Sequence, residues 1–428
     1  MKNKSLLPII VSTYIGNMVE LFDFVLCGLL LSIFGDIFFP PSMSGFFSGA
    51  IVYFMGALLR PFGGVVIGKL GDTYGRKLGI FVSVAGMGIA TLGLAFLPTY
   101  ESIGIASCIG FILLRFLQSF CMGGESPGAV IFLMEHLKSV GRTKLGGIFA
   151  TSNGAAFIAA ASAAYFVHSS DSPNETWRYA FIVGGMFAGI AFFIRFFLDE
   201  TPDFLELKNQ KDYPFIKIIS DFKYPLILGV IFFSYGGALT YFNASFIPRY
   251  IQEYLQLAGN DVFLFSIASQ IITLVCIFIC AVWIQKRNIT KKAAYLSFWM
   301  GAILPIPIAT GLIYGSDYLK VISAFSFLIP LSIGASTFYH LSVEIFPASK
   351  RCLLVALSLN IGVGVFGGMQ PMINSWLIEA TGIIIMPALF IAILSVVFLI
   401  ILNISKVKEC FWKEEESGNK IKELKEAA

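Results

Sequence analysis

The sequence predicts an all-α membrane protein of twelve transmembrane helices in two six-helix bundles. Three observations carry this. The chain is 57% hydrophobic and 13% charged, with a mean hydropathy of +0.81, more apolar surface than a soluble fold of 428 residues can cover. About twelve stretches approach the ~20 apolar residues a helix needs to cross a hydrocarbon core. The longest polar stretch between them, near 199–223, divides them six and six.

In chain order, spans are expected near 9–34, 46–67, 78–97, 103–134, 145–167 and 179–198, then 225–245, 262–284, 293–314, 319–342, 352–378 and 384–404. The joins near 245–262 and 378–384 are the least sharply marked. Four segments follow: an N-terminal bundle over 1–198, an interdomain loop over 199–223, a C-terminal bundle over 224–405 and a short tail over 406–428, with a short helix through Lys420–Lys425.

Basic residues give the sidedness. Lys2 and Lys4 precede the first span. Lys69, Arg76 and Lys77 follow the second, and Lys138, Arg142 and Lys144 the fourth. Lys208, Lys211, Lys217 and Lys223 follow the sixth, and Lys286, Arg287, Lys291 and Lys292 the eighth. Lys350 and Arg351 follow the tenth, and Lys406 and Lys408 the last. The alternate loops hold Asp36, Glu101, Asp171 and Glu175 but few bases, mainly Arg178, Arg249 and Lys320. Both termini are therefore expected in the cytoplasm, with the protein in a cell membrane. The net charge of +4 reflects this sidedness and gives no reason to expect nucleic-acid binding. The first span is too long for a cleavable signal and is followed by further spans. Cys27, Cys108, Cys121, Cys276, Cys280 and Cys352 lie inside spans and Cys410 in the tail, so no disulfide framework is expected. Cys276 and Cys280 read as packing residues rather than metal ligands, and Asn174-Glu175-Thr176 as a chance glycosylation match.

The most distinctive stretch joins the second and third spans: Gly68-Lys69-Leu70-Gly71-Asp72-Thr73-Tyr74-Gly75-Arg76-Lys77, with four charges and three glycines. A faint repeat sits at the ends of the fourth and tenth spans. Glu135 precedes Arg142 by seven residues, as Glu344 precedes Arg351, and each pair is expected to bridge the end of one helix and the start of the next.

A charge at the centre of a span costs about 2.5–3.5 kcal/mol, so Glu20, Asp23, Arg115 and Glu125 need a reason to be there. Glu20 and Asp23, three residues apart, share a helix face. Two close carboxylates resist double ionisation, which suits loading and unloading a proton; the alternative is an ion pair with Arg60 or Arg115. Arg115 and Glu125 lie ~15 Å apart along the axis and need separate partners. Arg115 is suited to a carboxylate, Glu125 to a proton or a basic group, and an interhelical ion pair would explain either. Gln118 and Met122 share the face of Glu125. The seventh span offers Phe232, Phe233, Tyr235, Tyr241 and Phe246 for a quaternary ammonium or for lipid, and Asn243 for a polar contact. Gly123, Gly124 and Pro127, and Gly362, Gly364, Gly367 and Gly368 before Pro371, read as packing and bending devices. His340 reads as simply hydrogen-bonded.

The first span supplies Gly16-Asn17, Glu20 and Phe22-Asp23-Phe24, followed by Phe38-Phe39-Pro40, Arg60-Pro61 and the loop 68–77. Arg115-Phe116-Leu117-Gln118, Gly123-Gly124-Glu125, Trp177-Arg178 and Glu200-Thr201-Pro202-Asp203-Phe204 continue the series. Glu344-Ile345-Phe346-Pro347 to Arg351, and Asn360 through Gly367-Gly368 to Pro371, complete it. In order and spacing these motifs resemble the metabolite:proton symporter family of major facilitator transporters, which includes carriers for proline and betaine, α-ketoglutarate, citrate and shikimate. The resemblance implies a secondary transporter that imports a small polar metabolite with protons by alternating access: an amino-acid-like zwitterion, a betaine or a small carboxylic acid. An exporter of the same fold, for a drug or a secreted metabolite, is the alternative. From their chemistry, proton coupling is expected at Asp23, Glu20 and Glu125 and substrate contacts at Arg115, Gln118, Tyr235, Tyr241 and Asn243, while the resemblance favours a cytoplasmic gate of Asp72, Arg76, Glu135, Arg142, Glu344 and Arg351. His136, His168 and His340 lie on separate spans and no metal or nucleotide motif is visible, so no enzyme, cofactor or metal is expected, and the carrier is expected to work as a monomer. Leu21, Cys27 and Ser119 depart from the family pattern. So does the second-half loop, 281–292, which reads Trp283-Ile284-Gln285-Lys286-Arg287-Asn288 and is expected to latch less firmly.

Overall fold

The computed structural model describes residues 6–42, 46–207, 214–254 and 259–412. Lys2, Lys4, Lys208, Lys211 and the expected helix at Lys420–Lys425 lie outside the described residues. The described chain is helical without strands, and twelve runs coincide with the twelve expected spans. The first six are α1 (Leu6–Leu29, continued by Leu31–Phe38), α2 (Phe46–Thr73), α3 (Arg76–Phe96), α4 (Ile105–His136), α5 (Arg142–His168) and α6 (Pro173–Phe196). The second six begin with α7 (Lys223–Tyr241, continued by a π turn Phe242–Phe246 and Ile247–Tyr254) and α8 (Gly259–Arg287). Then come α9 (Thr290–Ile303 and Pro305–Tyr314), α10 (Asp317–Ser326 and Leu328–Glu344), α11 (Arg351–Leu359, a π turn Asn360–Gly367, and Gln370–Thr381) and α12 (Met386–Leu402). Nine described helices are long and apolar enough to cross a membrane, and two bent pairs, at α9 and at the end of α12, raise this to as many as eleven. The remaining run is α2, 28 residues long.

Sequence explains where the runs stop. Between α2 and α3 the chain turns at Gly75, whose φ of +129° is open to glycine and strained for other residues. In α9, Pro305 begins a second segment bent by 43° from the first. Each half has its own core. In the first, Phe34, Phe38, Phe111, Trp177 and Phe181 pack ring on ring; in the second, Phe232, Tyr235, Phe298 and Phe338 do so. Outward-facing Phe62, Phe96, Leu113, Phe193 and Ile400 are exposed, as expected of a surface solvated by lipid.

Two features position the site. The halves meet where α2 packs on α11, and where α5 packs on α8 and α10. Within the first half, α2 and α4 cross almost backbone to backbone: a Cβ on Gly123 would lie 2.1 Å from the Arg60 carbonyl oxygen. Only glycine permits that approach, and it brings Arg60 against α4. After α12 the chain turns by 85° into Ser405–Trp412. That segment buries Val407 and Phe411 in the second core and leaves Lys406, Lys408 and Glu409 exposed.

Candidate functional site

Between the halves lies a cavity of about 70 Å³ whose walls come from α1, α2, α4 and α5 on one side and α7, α10 and α11 on the other. Arg60, Ser126, Asn153, Thr240, Tyr241 and Tyr339 supply its polar groups, and Phe157, Phe233 and Phe338 its aromatic walls. A larger space of about 380 Å³ opens on the outer flank of α1, α5 and α6, but it is almost wholly apolar and holds no charged residue. Arg60 and the polar groups that reach Glu20 face the smaller cavity.

Glu20 lies beside that cavity, fully enclosed. Ser126 Oγ sits 2.8 Å from Glu20 Oε2 and also against Asn17 Oδ1. Asn17 Nδ2 donates to Ser152 Oγ (2.6 Å) and Asn153 Oδ1 (2.7 Å), and Asn153 Nδ2 donates to the Tyr339 hydroxyl across the half-to-half boundary (3.2 Å). Arg60 Nη2 stands 3.6 Å from Glu20 Oε1, with its guanidinium 5.4 Å from the Phe24 ring centre.

Asp23 belongs to a separate network. Thr91 Oγ1 and Gln118 Nε2 donate to its Oδ2, the latter at 3.3 Å, and Arg115 Nη1 donates to Gln118 Oε1 at 2.5 Å. The expectation that Glu20 and Asp23 act as one close pair is thus corrected: three residues apart, they turn to different neighbours, α2 and α4 for Glu20, α3 and α4 for Asp23. Arg115 and Gln118 are buried beside Asp23 and do not line the cavity. Arg60 takes the place in the wall expected of Arg115.

Glu125 is fully buried and held by Arg195, Nη1 to Oε2 at 2.8 Å and Nη2 to Oε1 at 2.5 Å, with Ser83 Oγ donating to Oε2 at 2.7 Å. Sequence reading passed over Arg195, although a base inside an apolar span carries the same signal as Glu125 itself. In the second half, Tyr241 lines the cavity. Tyr235 does not: its hydroxyl donates to the Ser297 carbonyl (2.6 Å) and its ring packs on Phe298 within the second core. Asn243 is buried in the π turn of α7, and its Oδ1 accepts no hydrogen bond among the described residues.

The halves are fastened where loop 68–77 meets α11. Asp72 accepts the backbone N–H groups of Cys352 (3.0 Å) and Leu353 (2.9 Å), filling donors that the first turn of α11 leaves open. Arg76 donates to Asp72 (3.0 Å) and to the carbonyls of Gly71 (2.9 Å) and Ala348, and its Nε lies 3.4 Å from Glu135. Glu135 takes Arg351 at 2.7 Å, and Arg351 also meets Asp203 at 3.3 Å. The expected pairing is therefore corrected. Glu135 pairs with Arg351 and not Arg142, because the end of α4 packs against the start of α11. Glu344 pairs with Lys291 (3.5 Å) and His340 (2.8 Å). Burial would raise the Asp203 pKa, but Lys138 and Arg351 outweigh it and hold the carboxyl below its usual range.

The second-half loop makes a matching contact without charge. Gln285 Oε1 accepts the N–H of Thr143 in the first turn of α5 (3.0 Å), while Thr143 Oγ1 meets Thr290 Oγ1 (2.7 Å) and His340 Nδ1 (2.8 Å). The Gly-Asp-Gly-Arg pattern is gone, but the cap on the opposing helix remains.

A model of the Major Facilitator Superfamily matches residues 13–351. The chain belongs to that superfamily. Its relatives include a Staphylococcus aureus protein with the provisional name proline/betaine transporter, 28% identical over 92% of this chain and 86% of that protein. The citrate-proton symporter of Salmonella typhi is 28% identical over 86% of each chain. Among solved structures, the proton:xylose symporter XylE bound to 6-bromo-6-deoxy-D-glucose superposes with a TM-score of 0.75 at 14% identity, covering 94% of this chain and 96% of XylE. That likeness shows the twelve-helix, two-bundle fold. Membership makes the protein a multi-pass membrane transporter of this superfamily and not an enzyme.

Proposed function

We propose that this superfamily member imports a small polar metabolite together with protons: an amino-acid-like zwitterion, a betaine or a small carboxylic acid. The observation that carries this reading is the small cavity between the halves with Arg60 in its wall and the buried carboxyl of Glu20 beside it; Asp23 is buried on the same helix in a network of its own. The names of the relatives, proline/betaine carriers and a citrate-proton symporter, point the same way. In this reading residues 1–198 and 224–405 rock as two bodies, joined by 199–223 and followed by the tail 406–428. Asp23 and Glu20 couple the proton, with Arg115 and Gln118 setting the field at Asp23. Tyr241 and Asn243 face the substrate from the second half, and Glu125 with Arg195 holds α4 against α6. Asp72, Arg76, Glu135 and Arg351 form the cytoplasmic gate, with Arg142 and Glu344 beside the neutral contact at Gln285. The carrier works as a monomer in a bacterial inner membrane with both termini in the cytoplasm.

The test is lumen pH in proteoliposomes as proline, betaine and citrate are added outside. Acidification with a solute, abolished in Asp23→Asn, is the expected result. Entry of labelled solute with no pH change would sink proton coupling.

A further inference from the structure

Arg60 and Glu20 form an incomplete pair. Arg60 is 2% exposed and Glu20 1%, yet their one contact is 3.6 Å long. A guanidinium that commits to a carboxylate does so through short, paired hydrogen bonds, as Arg195 does with Glu125. Among the described residues Arg60 Nε and Glu20 Oε1 have no hydrogen-bond partner, and such buried orphans call for an explanation. Arg60 also lines the cavity, whereas Glu20 sits behind it on Ser126. The fork is thus under-used on its protein side and open on its solute side.

We propose that the substrate carboxylate and the Glu20 carboxylate compete for the single guanidinium of Arg60, and that Glu20 takes a proton when it loses; this rests on the symport reading above. In the empty carrier Arg60 offsets Glu20. When a solute carboxylate seats bidentately on Arg60, Glu20 is left as an uncompensated buried anion, which low-dielectric surroundings do not support. It therefore accepts one proton, forming one O–H bond, and the net charge around Arg60 is restored. The other ionisable groups facing Glu20 do not replace Arg60: Glu125 on α4 repels it and is already neutralised by Arg195 of α6, and Tyr339 of α10 is bonded to Asn153. Asp23, on the same helix, is held by α3 and α4. One proton then enters per solute carboxylate held by Arg60, so a zwitterion carries net charge inward and a monoanion does not.

The experiment measures proton uptake and affinity together. Purified protein in weakly buffered detergent solution with a pH indicator is titrated with L-proline, betaine and citrate, and with pyrrolidine and choline, which lack the carboxylate. The expected result is about one proton taken up per bound proline or betaine, and affinity that falls about tenfold per pH unit once Glu20 is ionised. Glu20→Gln should bind without proton uptake and without that pH dependence. Arg60→Ala should weaken proline and betaine more than tenfold and leave the weak binding of pyrrolidine and choline unmoved. Arg60→Lys, which keeps the charge but loses the fork, should fall between, and carries the test if the alanine variant does not fold. Proton uptake that survives Glu20→Gln, or affinity unchanged in Arg60→Lys, overturns the competition while leaving symport intact. Wild-type vesicles whose lumen pH answers none of proline, betaine and citrate overturn the symport reading and this one with it.

Discussion

Glu125 and Arg195 show how much rests on single side chains in the first half. Both are fully buried, and each leaves the other as a bare charge if removed. Breaking such a pair costs about 3–5 kcal/mol, whereas replacing both by apolar groups of similar volume is often neutral. Glu125→Gln or Arg195→Met alone should therefore lower the thermal unfolding midpoint in detergent sharply, and Glu125→Leu with Arg195→Met should recover most of the loss. Equal loss in single and double variants would mean that the pair does more than neutralise itself. Asp203 gives a residue-scale prediction about pH. Its carboxyl titrates below the ordinary 3.8 because Lys138 and Arg351 outweigh burial. A carboxyl whose pKa falls on closure stabilises the closed form fully above the ordinary value and loses that contribution as pH drops through the lowered one. Spin labels at the ends of α4 and α11 should separate as pH falls below about 4, and Asp203→Asn should remove that step. A step below about pH 4 that survives Asp203→Asn would place the titrating group elsewhere. At this scale sequence was an uneven guide. It singled out Glu20, Asp23 and Glu125 because a charge in an apolar span stands out. It could not say which way each turns, since residues three apart on one helix still diverge when different neighbours offer them donors.

At the scale of the element, the runs were legible and their breaks were not. Length and hydropathy set where a helix must lie to cross lipid, so all twelve ranges coincide with helical runs. The π turns in α7 and α11 depend on what packs against them: a Cβ on Gly362 would lie 2.5 Å from the Cβ of Phe233 on α7. Neither the glycines alone nor the aromatics alone announce that contact. The crossing of α2 and α4 is tighter still. Gly123→Val should cost about 1–3 kcal/mol through overpacking, and should displace Arg60 as well. Substrate affinity is therefore expected to fall further than the unfolding midpoint suggests. A variant equally stable and equally active would show that the crossing tolerates separation.

Over the whole molecule, the two halves are clasped at one end by an ionic contact, α2 to α11, and by a neutral one, α5 to α8 and α10. The repeat at Glu135 and Glu344 was visible in sequence, but neither glutamate takes the arginine seven residues on: Glu135 takes Arg351, and Glu344 takes Lys291 and His340. A seven-residue spacing suggests a local bridge, whereas the fold brings distant helix ends together. The clasp can be tested covalently. A Cβ on Gly71 would lie 3.5 Å from the Cβ and 3.3 Å from the Sγ of Cys352 on the opposite half, within reach of a disulfide. Gly71→Cys should therefore cross-link to the native Cys352 under oxidation and stop transport, with recovery on reduction and no effect of oxidant when Cys352→Ser is added. Uninterrupted transport by a fully cross-linked protein would rule out separation of α2 and α11 as part of the cycle.

The turn after α12 has a practical consequence. Because Phe411 is wedged into the second core, 5.9 Å from the Phe232 ring centre, the segment Ser405–Trp412 is bolted to one half and not the other. A rigid fiducial grafted at Trp412 would inherit the orientation of that half. Its tilt, followed by polarised single-molecule emission, would turn any rocking of the two halves into a directly visible angle.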